Sequence, residues 1–305
     1  VRLNPPGAIN DGNDSAYTVS GTCQDSNGVV TVRVGALMTT TPCSGNTFST
    51  TFSVASLADG ASITVSASQN NAAGTGTDSA NTSKDTTPPG VPTFTSPANG
   101  AITNDNTPTF EGTGEPGATV RVTVGNNEVC SAVVGAGGNW TCTGNMLPDG
   151  PVTVVVRATD TAGNTGVASP GRTLTIDTTA PAAPTITSPA PSAVVAPSPT
   201  ISGTAEAGAT VLVFEGATQL CSTAANTSGQ WTCATTLGIG SHTVHARQID
   251  RATNQGPVSA NRTFLVDNVP TVRLNTPGPI NVANATAFPV SGTCTTSAGA
   301  VTVQV

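Results

Sequence analysis

The sequence predicts an all-β chain: tandem β-sandwich modules forming an elongated rod. Three observations lead there. Segments repeat at fixed offsets along the 305 residues. Short runs of alternating apolar and polar residues are bounded by Gly, Asn and Pro. No segment sustains apolar residues at i, i+3, i+4 and i+7 without an intervening Gly or Pro, as an amphipathic helix requires. Composition agrees, with 9% charged and 3% aromatic residues. Thr and Val, which fit a pleated half-buried surface, crowd the rows instead. Disorder is the competing reading for low charge with 33 Gly and 23 Pro. It fails because the alternation stays in register with the turn residues.

The repeats define the modules. "TPTFEGTGEPGATV" from Thr107 returns as "SPTISGTAEAGATV" from Ser198, an offset of 91 residues. The same offset carries Cys130 to Cys221, Trp140 to Trp231 and Cys142 to Cys233. A longer relation joins the two ends. "VRLNPPGAINDGNDSAYTVSGTCQDSNGVVTVRV" at Val1 matches "VRLNTPGPINVANATAFPVSGTCTTSAGAVTVQV" at Val272 without a gap, placing Cys294 on Cys23. The expected organisation is a first-type module at 1–88, second-type modules at 89–180 and 181–270, and the opening strands of an incomplete first-type module at 271–305. Boundaries fall at the Pro-containing stretches Asp85 to Pro92, Asp177 to Pro184 and Asp267 to Pro270, which stop a strand and stiffen a joint.

Within the second module the strands read in order as "TPTFEGT", "TVRVTV", "EVCSAVV", "NWTCTG", "GPVTVVVRAT" and "GRTLTI". Val152, Val154 and Val156 are expected to face the core, with Thr153, Val155 and Arg157 outward; Val244 and Ala246 keep that frame in the third module. About seven short strands in about ninety residues indicate a sandwich of immunoglobulin type. At this level "DTTAPAAPTITSPA", "GTAEAGATVLVFEG", "SGQWTC" and "ATDTAGNTG" resemble the bacterial Ig-like repeats strung in tandem through very large secreted and surface proteins, adhesins especially. The resemblance covers essentially the whole chain. The chain departs from antibody domains in lacking a Cys…Trp…Cys pattern across two sheets and in having one Tyr, Tyr17, so no repeated tyrosine corner.

Seven cysteines remain to be placed. Cys130 and Cys142 flank "SAVVGAGGNWT", which reads as a hairpin, and Cys221 and Cys233 repeat the spacing. A cross-hairpin disulfide beside a core Trp is expected in each. In the first module the pair is Cys23 and Cys43, with Phe48 in the Trp position. Each closed loop stabilises by about 3 kcal/mol on the chain-entropy estimate and implies an oxidising compartment. Thiolate metal binding is the rival, and it lacks any Cys-x-x-Cys pair and has only two His to draw on. Cys294 is left over, its expected partner lying about twenty residues after it, and so past Val305, by the first module's spacing.

Charge and motifs exclude several functions. A net charge of −7 with ten scattered Lys and Arg suits neither nucleic acid nor an anionic membrane. Apolar runs such as Val154 to Val156 are too short to span a bilayer. Val1 follows no signal-peptide pattern, so it reads as a mature start or an arbitrary cut. His242 and His245, three apart on one strand, point to opposite faces and cannot share a metal or a proton path. No phosphate loop, His-Glu-x-x-His or nucleophile elbow occurs, and no enzyme is expected.

Calcium is the one cofactor with candidates: Asp85, Asp177 and Asp267 end modules, while Asp160 and Asp250 open the turns "DTAGN" and "DRATN". Some Ig-like adhesin repeats similar to these bind calcium near junctions. That ion takes six to eight oxygens, however, and each junction offers one or two carboxylates. Local side-chain turns are the simpler reading. "DGND" at Asp11 to Asp14 becomes "VANA" at Val282 to Ala285, losing every carboxylate. Sequons at Asn139, Asn226 and Asn261 matter only in a glycosylating host.

The expected role is non-catalytic: an extracellular, cell-surface structural repeat region, the semi-rigid stalk or filament shaft of a large secreted bacterial adhesin. Its partners would be further Ig-like modules of the same chain or neighbouring copies in a filament. One alternative is a filament subunit polymerising by strand complementation of the incomplete last module. The other is a module binding sugar or protein through its loops.

Overall fold

The computed structural model describes residues 1–268, 272–275, 279, 290–294 and 301–302. The chain divides into two compact units, Val1–Thr178 and Thr179–Val305.

The first unit holds two sandwiches. In the first, β1 (Arg2–Leu3), β2 (Tyr17–Thr22) and β5 (Thr47–Phe52) form a three-stranded sheet in the order β1-β2-β5. It faces a four-stranded sheet of β3 (Val29–Val34), β4 (Leu37–Pro42), β6 (Gly60–Asn71) and β7 (Gly74–Lys84), ordered β4-β3-β6-β7. Alternation sets the inner face: Val30, Val32 and Val34 are fully buried while Arg33 is exposed. Each such Val contributes about 1.5–3 kcal/mol by leaving water.

The second sandwich repeats the plan with a fuller sheet. Strands β8 (Thr93–Ser96), β10 (Thr109–Thr113) and β13 (Asn139–Thr143) form its smaller sheet, ordered β13-β10-β8. The larger contains β9 (Ala101–Thr103), β11 (Thr119–Val124), β12 (Asn127–Val133), β14 (Gly150–Thr159) and β15 (Arg172–Ile176), ordered β12-β11-β14-β15-β9. Val152, Val154 and Val156 face the core, and Thr153 and Arg157 are exposed. Phe94 meets Phe110 and Trp140 edge-on at centroid distances of 5.7 and 5.8 Å. Short β9, paired parallel to β15, covers that sheet's edge.

The second unit repeats this sandwich. Its smaller sheet is β16 (Thr185–Ser188), β18 (Thr200–Thr204) and β21 (Gln230–Ala234). Its larger sheet is β17 (Val194–Val195), β19 (Thr210–Glu215), β20 (Thr218–Ala224), β22 (Gly240–Ile249) and β23 (Arg262–Val266), ordered β17-β23-β22-β19-β20. Val244 and Ala246 lie in its core. Further on, β24 (Val272–Leu274) pairs antiparallel with β25 (Gly292–Cys294). The pairing Arg273↔Thr293 and Leu274↔Gly292 reproduces Arg2↔Thr22 and Leu3↔Gly21. Asn275 donates to Ser291 O and Oγ as Asn4 donates to Ser20 O and Oγ. The remaining strands expected for 271–305 lie outside the described residues, and Cys294 is exposed and unpaired.

One expectation is corrected. Cys130 and Cys142 do not sit on a hairpin: β12 edges the larger sheet and β13 edges the smaller. After β12, Val134 still pairs with Ala118, and the chain then turns through Gly135–Asn139 and crosses to the other sheet. Gly138 at φ 79° and Gly229 at φ 74° supply the left-handed residue of that turn, which a side chain disfavours. A hairpin and a corner both read as two strands around a Gly-rich turn, so the sequence alone does not separate them.

Candidate functional site

Among the described residues, the distinctive chemistry lies along the seams of the modules. The first seam is between sheets. Disulfides join Cys23 to Cys43, Cys130 to Cys142 and Cys221 to Cys233, with Cα separations of 6.0, 6.0 and 6.2 Å. In the second and third sandwiches each ties the edge of one sheet to the edge of the other, so the order Cys130, Trp140, Cys142 (and Cys221, Trp231, Cys233) does run across two sheets, contrary to the expectation from the sequence. A bulge opposite Val122 and another opposite Val213 break the β11–β12 and β19–β20 registers beside Cys130 and Cys221. Such a bulge re-aims side chains inward, here placing Cys130 against the core next to buried Val129. Cys23, Asp25 and Cys43 bring ligand-type atoms within 4.8 Å of one another. Both sulfurs are bonded to each other, so the thiolates that a metal would need are not available.

The second seam lies inside the smaller sheet and was not singled out from the sequence. Gly21 lies opposite Phe48, Gly112 opposite Trp140 and Gly203 opposite Trp231. A Cβ on Gly112 would fall 2.5 Å from Trp140 Cζ2 and collide with Thr93 O; one on Gly203 would meet Thr185 O and Trp231. Bare glycine lets the ring lie on its strand while the next strand passes behind. The signal was present: "SGT", "EGT" and "SGT" recur at the same 91-residue offset.

The aspartates are turn formers in this geometry. Asp160 Oδ1 accepts the N–H groups of Ala162, Gly163 and Asn164 at 2.7–2.9 Å, and its Oδ2 accepts Asn164 Nδ2 at 2.7 Å. Asp250 accepts Asn254 N and Nδ2, both at 2.8 Å. Asp85 Oδ1 accepts Thr87 N at 3.0 Å and Asp267 Oδ1 accepts Asn268 N at 2.7 Å. Asp177 is held through its backbone N–H, which donates to Thr103 O at 2.9 Å. Two further acids, missed in the sequence, cap the residues leaving the first and second modules. Asp59 accepts Thr86 N and Oγ1, and Asp149 accepts Thr178 N and Oγ1. The backbone N–H of Thr86, then its hydroxyl, with lesser help from Lys84 and Thr87, holds the Asp59 carboxyl below its ordinary range. The repeated "DG" at Asp59 and Asp149 is their sequence trace.

Asp85 and Asp160 are brought together where the first module meets the second. Asn164, 3% exposed, donates Nδ2 to Asp85 O at 2.7 Å and accepts Asp11 N at Oδ1 at 2.8 Å. Asn10 Nδ2 donates to Ala162 O at 2.8 Å. Nearby, buried Lys84 donates Nζ to Leu57 O at 2.7 Å and Ala55 O at 3.2 Å, with Asp59 and Asp14 carboxylates at 3.9 and 4.0 Å.

The histidines separate as their spacing implies. On β22, His242 lies on the side of core residues Val244 and Ala246, its Nδ1 3.0 Å from Glu215 Oε1 and its Nε2 2.8 Å from Gly238 O. His245, on the other side, stacks on Phe214 at 5.6 Å and 16°. Tyr17 donates its hydroxyl to Gly7 O at 2.7 Å, and burial raises its pKa. Among the described residues, no helix is long and apolar enough to cross a membrane.

The chain is similar to the fibronectin(III)-like modules of Clostridium thermocellum CbhA at 14% identity and a TM-score of 0.39, over 58% of this chain and 95% of that one. It is similar to an I-band fragment of titin at 12% identity and 0.37, over 88% and 98%. A third likeness is to the BSP domain of a biofilm associated protein, at 11% identity and 0.23, over 88% and 66%. No curated protein matches the chain. The model of the bacterial Ig-like domain matches residues 95–178 and 192–268, just over half of the sequence. The chain belongs to the bacterial Ig-like domain family.

Proposed function

We propose that this chain is a non-catalytic structural repeat region, part of the stalk or shaft of a large bacterial surface protein that works outside the cytoplasm. The observation that supports the reading is modular self-sufficiency. Each of the three sandwiches has its own apolar core and its own inter-sheet disulfide. A module sealed in this way can be added or removed without exposing a neighbour's core, which a spacer needs and a composite active site does not. Disulfides persist in oxidising compartments, which supports the extracellular assignment. The partners in this reading are further modules of the same chain.

The aspartates at module ends act in this proposal by fixing turns, without calcium. Melting in calcium and in chelator should therefore coincide; a higher melting temperature in calcium alone would restore the metal. Location is tested on intact cells of the source bacterium with an antibody to this segment. Labelling without permeabilisation supports the reading, and labelling only after lysis would overturn it.

A further inference from the structure

Joints between domains of one chain move by default unless the interface is large and apolar. The joint between the first and second modules is bridged by side-chain hydrogen bonds from both sides. The amide of Asn164 is 3% exposed and uses both ends. Nδ2 reaches Asp160 Oδ2 in its own module and Asp85 O at the end of the first. Oδ1 accepts Asp11 N, also of the first module. One side chain thus grips the neighbouring module at two backbone points. Asn10 Nδ2 returns the contact to Ala162 O, inside the same turn. The first module's loop is itself braced, with Asn13 Oδ1 accepting Asn10 N and Asn10 Oδ1 accepting Gly12 N.

A polar network rigidifies when every member is satisfied, because each partner fixes the direction of the next; here Asn164 is its buried centre, Asn10 is half-buried and Asp11 exposed. We propose that the turn Asp160–Asn164 is a coupling element that locks the second module to the first through Asn164 and Asn10, so that the two move as one body. The inference rests on the structural-repeat reading and adds that this joint is stiff. Two sequence features agree. The counterparts of Asn10 and Asn13 in the later first-type segment are Asn281 and Asn284, so the amides are retained where the carboxylates of "DGND" are lost. Gly163 has φ 97°, and a Cβ there would fall 2.8 Å from Asn10 Nδ2. In the third module Thr253 takes that place in the turn at φ 75°, so the turn itself accepts a side chain there, and at Gly163 that side chain would push Asn10 Nδ2 away from Ala162 O.

The test measures distances by electron spin resonance in the full chain. Spin labels are placed at Ser79→Cys and Met146→Cys, both exposed and one in each module, with Cys294→Ser to leave no other thiol. The lock predicts one narrow distance. Asn164→Asp, which loses both donors and faces Asp160, and Gly163→Thr, which fills the seat, should each lose that narrow distance while Trp140 fluorescence stays native. Gly163→Thr decides the matter even if Asn164→Asp unfolds its module, because a Thr is accommodated at Thr253. A broad distribution in the unmutated joint, or a narrow one in Gly163→Thr, would overturn the lock. Neither result depends on where the protein resides, so failure of the surface assignment and failure of the lock are read separately.

Discussion

Gly112 and Trp140 face each other across β10 and β13, and their fit is set at the scale of a single methyl group. A Cβ at Gly112 has no space on either side: the indole lies at 2.5 Å and the Thr93 carbonyl closer still. Gly112→Ala should therefore destabilise the second module by about 1–3 kcal/mol, the usual cost of overpacking a filled core. Urea unfolding followed by Trp140 fluorescence in a Trp231→Phe background reads this; an unchanged midpoint would show that the strand relaxes freely. Asp59 gives a prediction in pH. Its folded pKa is depressed, so its contribution is present above the unfolded pKa, about 4, and is lost as pH falls through the lower folded value. Protection against hydrogen exchange across Gly60–Lys84, taken relative to the intrinsic rate at each pH, should fall in acid, and Asp59→Asn should flatten that dependence. An acid profile identical in the variant would remove Asp59 from the account. None of this was visible in the sequence as a role. "EGT" and "DG" are repeated there, but a missing side chain or an exposed acid announces nothing until its neighbour is placed.

At the scale of elements, the strands themselves were legible, since alternation dictates which residues are buried. "TVRVTV" became β11 and "GPVTVVVRAT" became β14, with Val120, Val122, Val152, Val154 and Val156 inward as their parity requires. What alternation does not encode is the sheet to which a strand belongs. That is why the segment from Cys130 to Cys142 looked like a hairpin and is a corner, and why its disulfide joins two sheets. The corner makes the covalent link more consequential than a hairpin clip would be, because it closes the open edge between sheets. Replacing Cys130 and Cys142 by Ser should cost the second module about 3 kcal/mol for a loop of this length. The same fluorescence-monitored urea titration measures it. A loss near zero would mean that the core alone holds the edge shut.

At the scale of the molecule, the repeats at 91 residues exposed the modular plan because each copy keeps its landmarks at one spacing. The joint between the first two modules escaped the same reading. Asn10 and Ala162 are 152 residues apart, and nothing local in either segment points to the other. Family membership and self-sealed cores support a spacer role, and a spacer has to be extended. The most direct test of that claim is small-angle X-ray scattering from the full chain. With each module adding roughly 35–45 Å, three in line approach roughly 120 Å, which corresponds to a radius of gyration of roughly 35 Å. A compact chain of this length would have a radius of gyration of roughly 19 Å. A value near the first is the result predicted here; a value near the second would contradict the stalk.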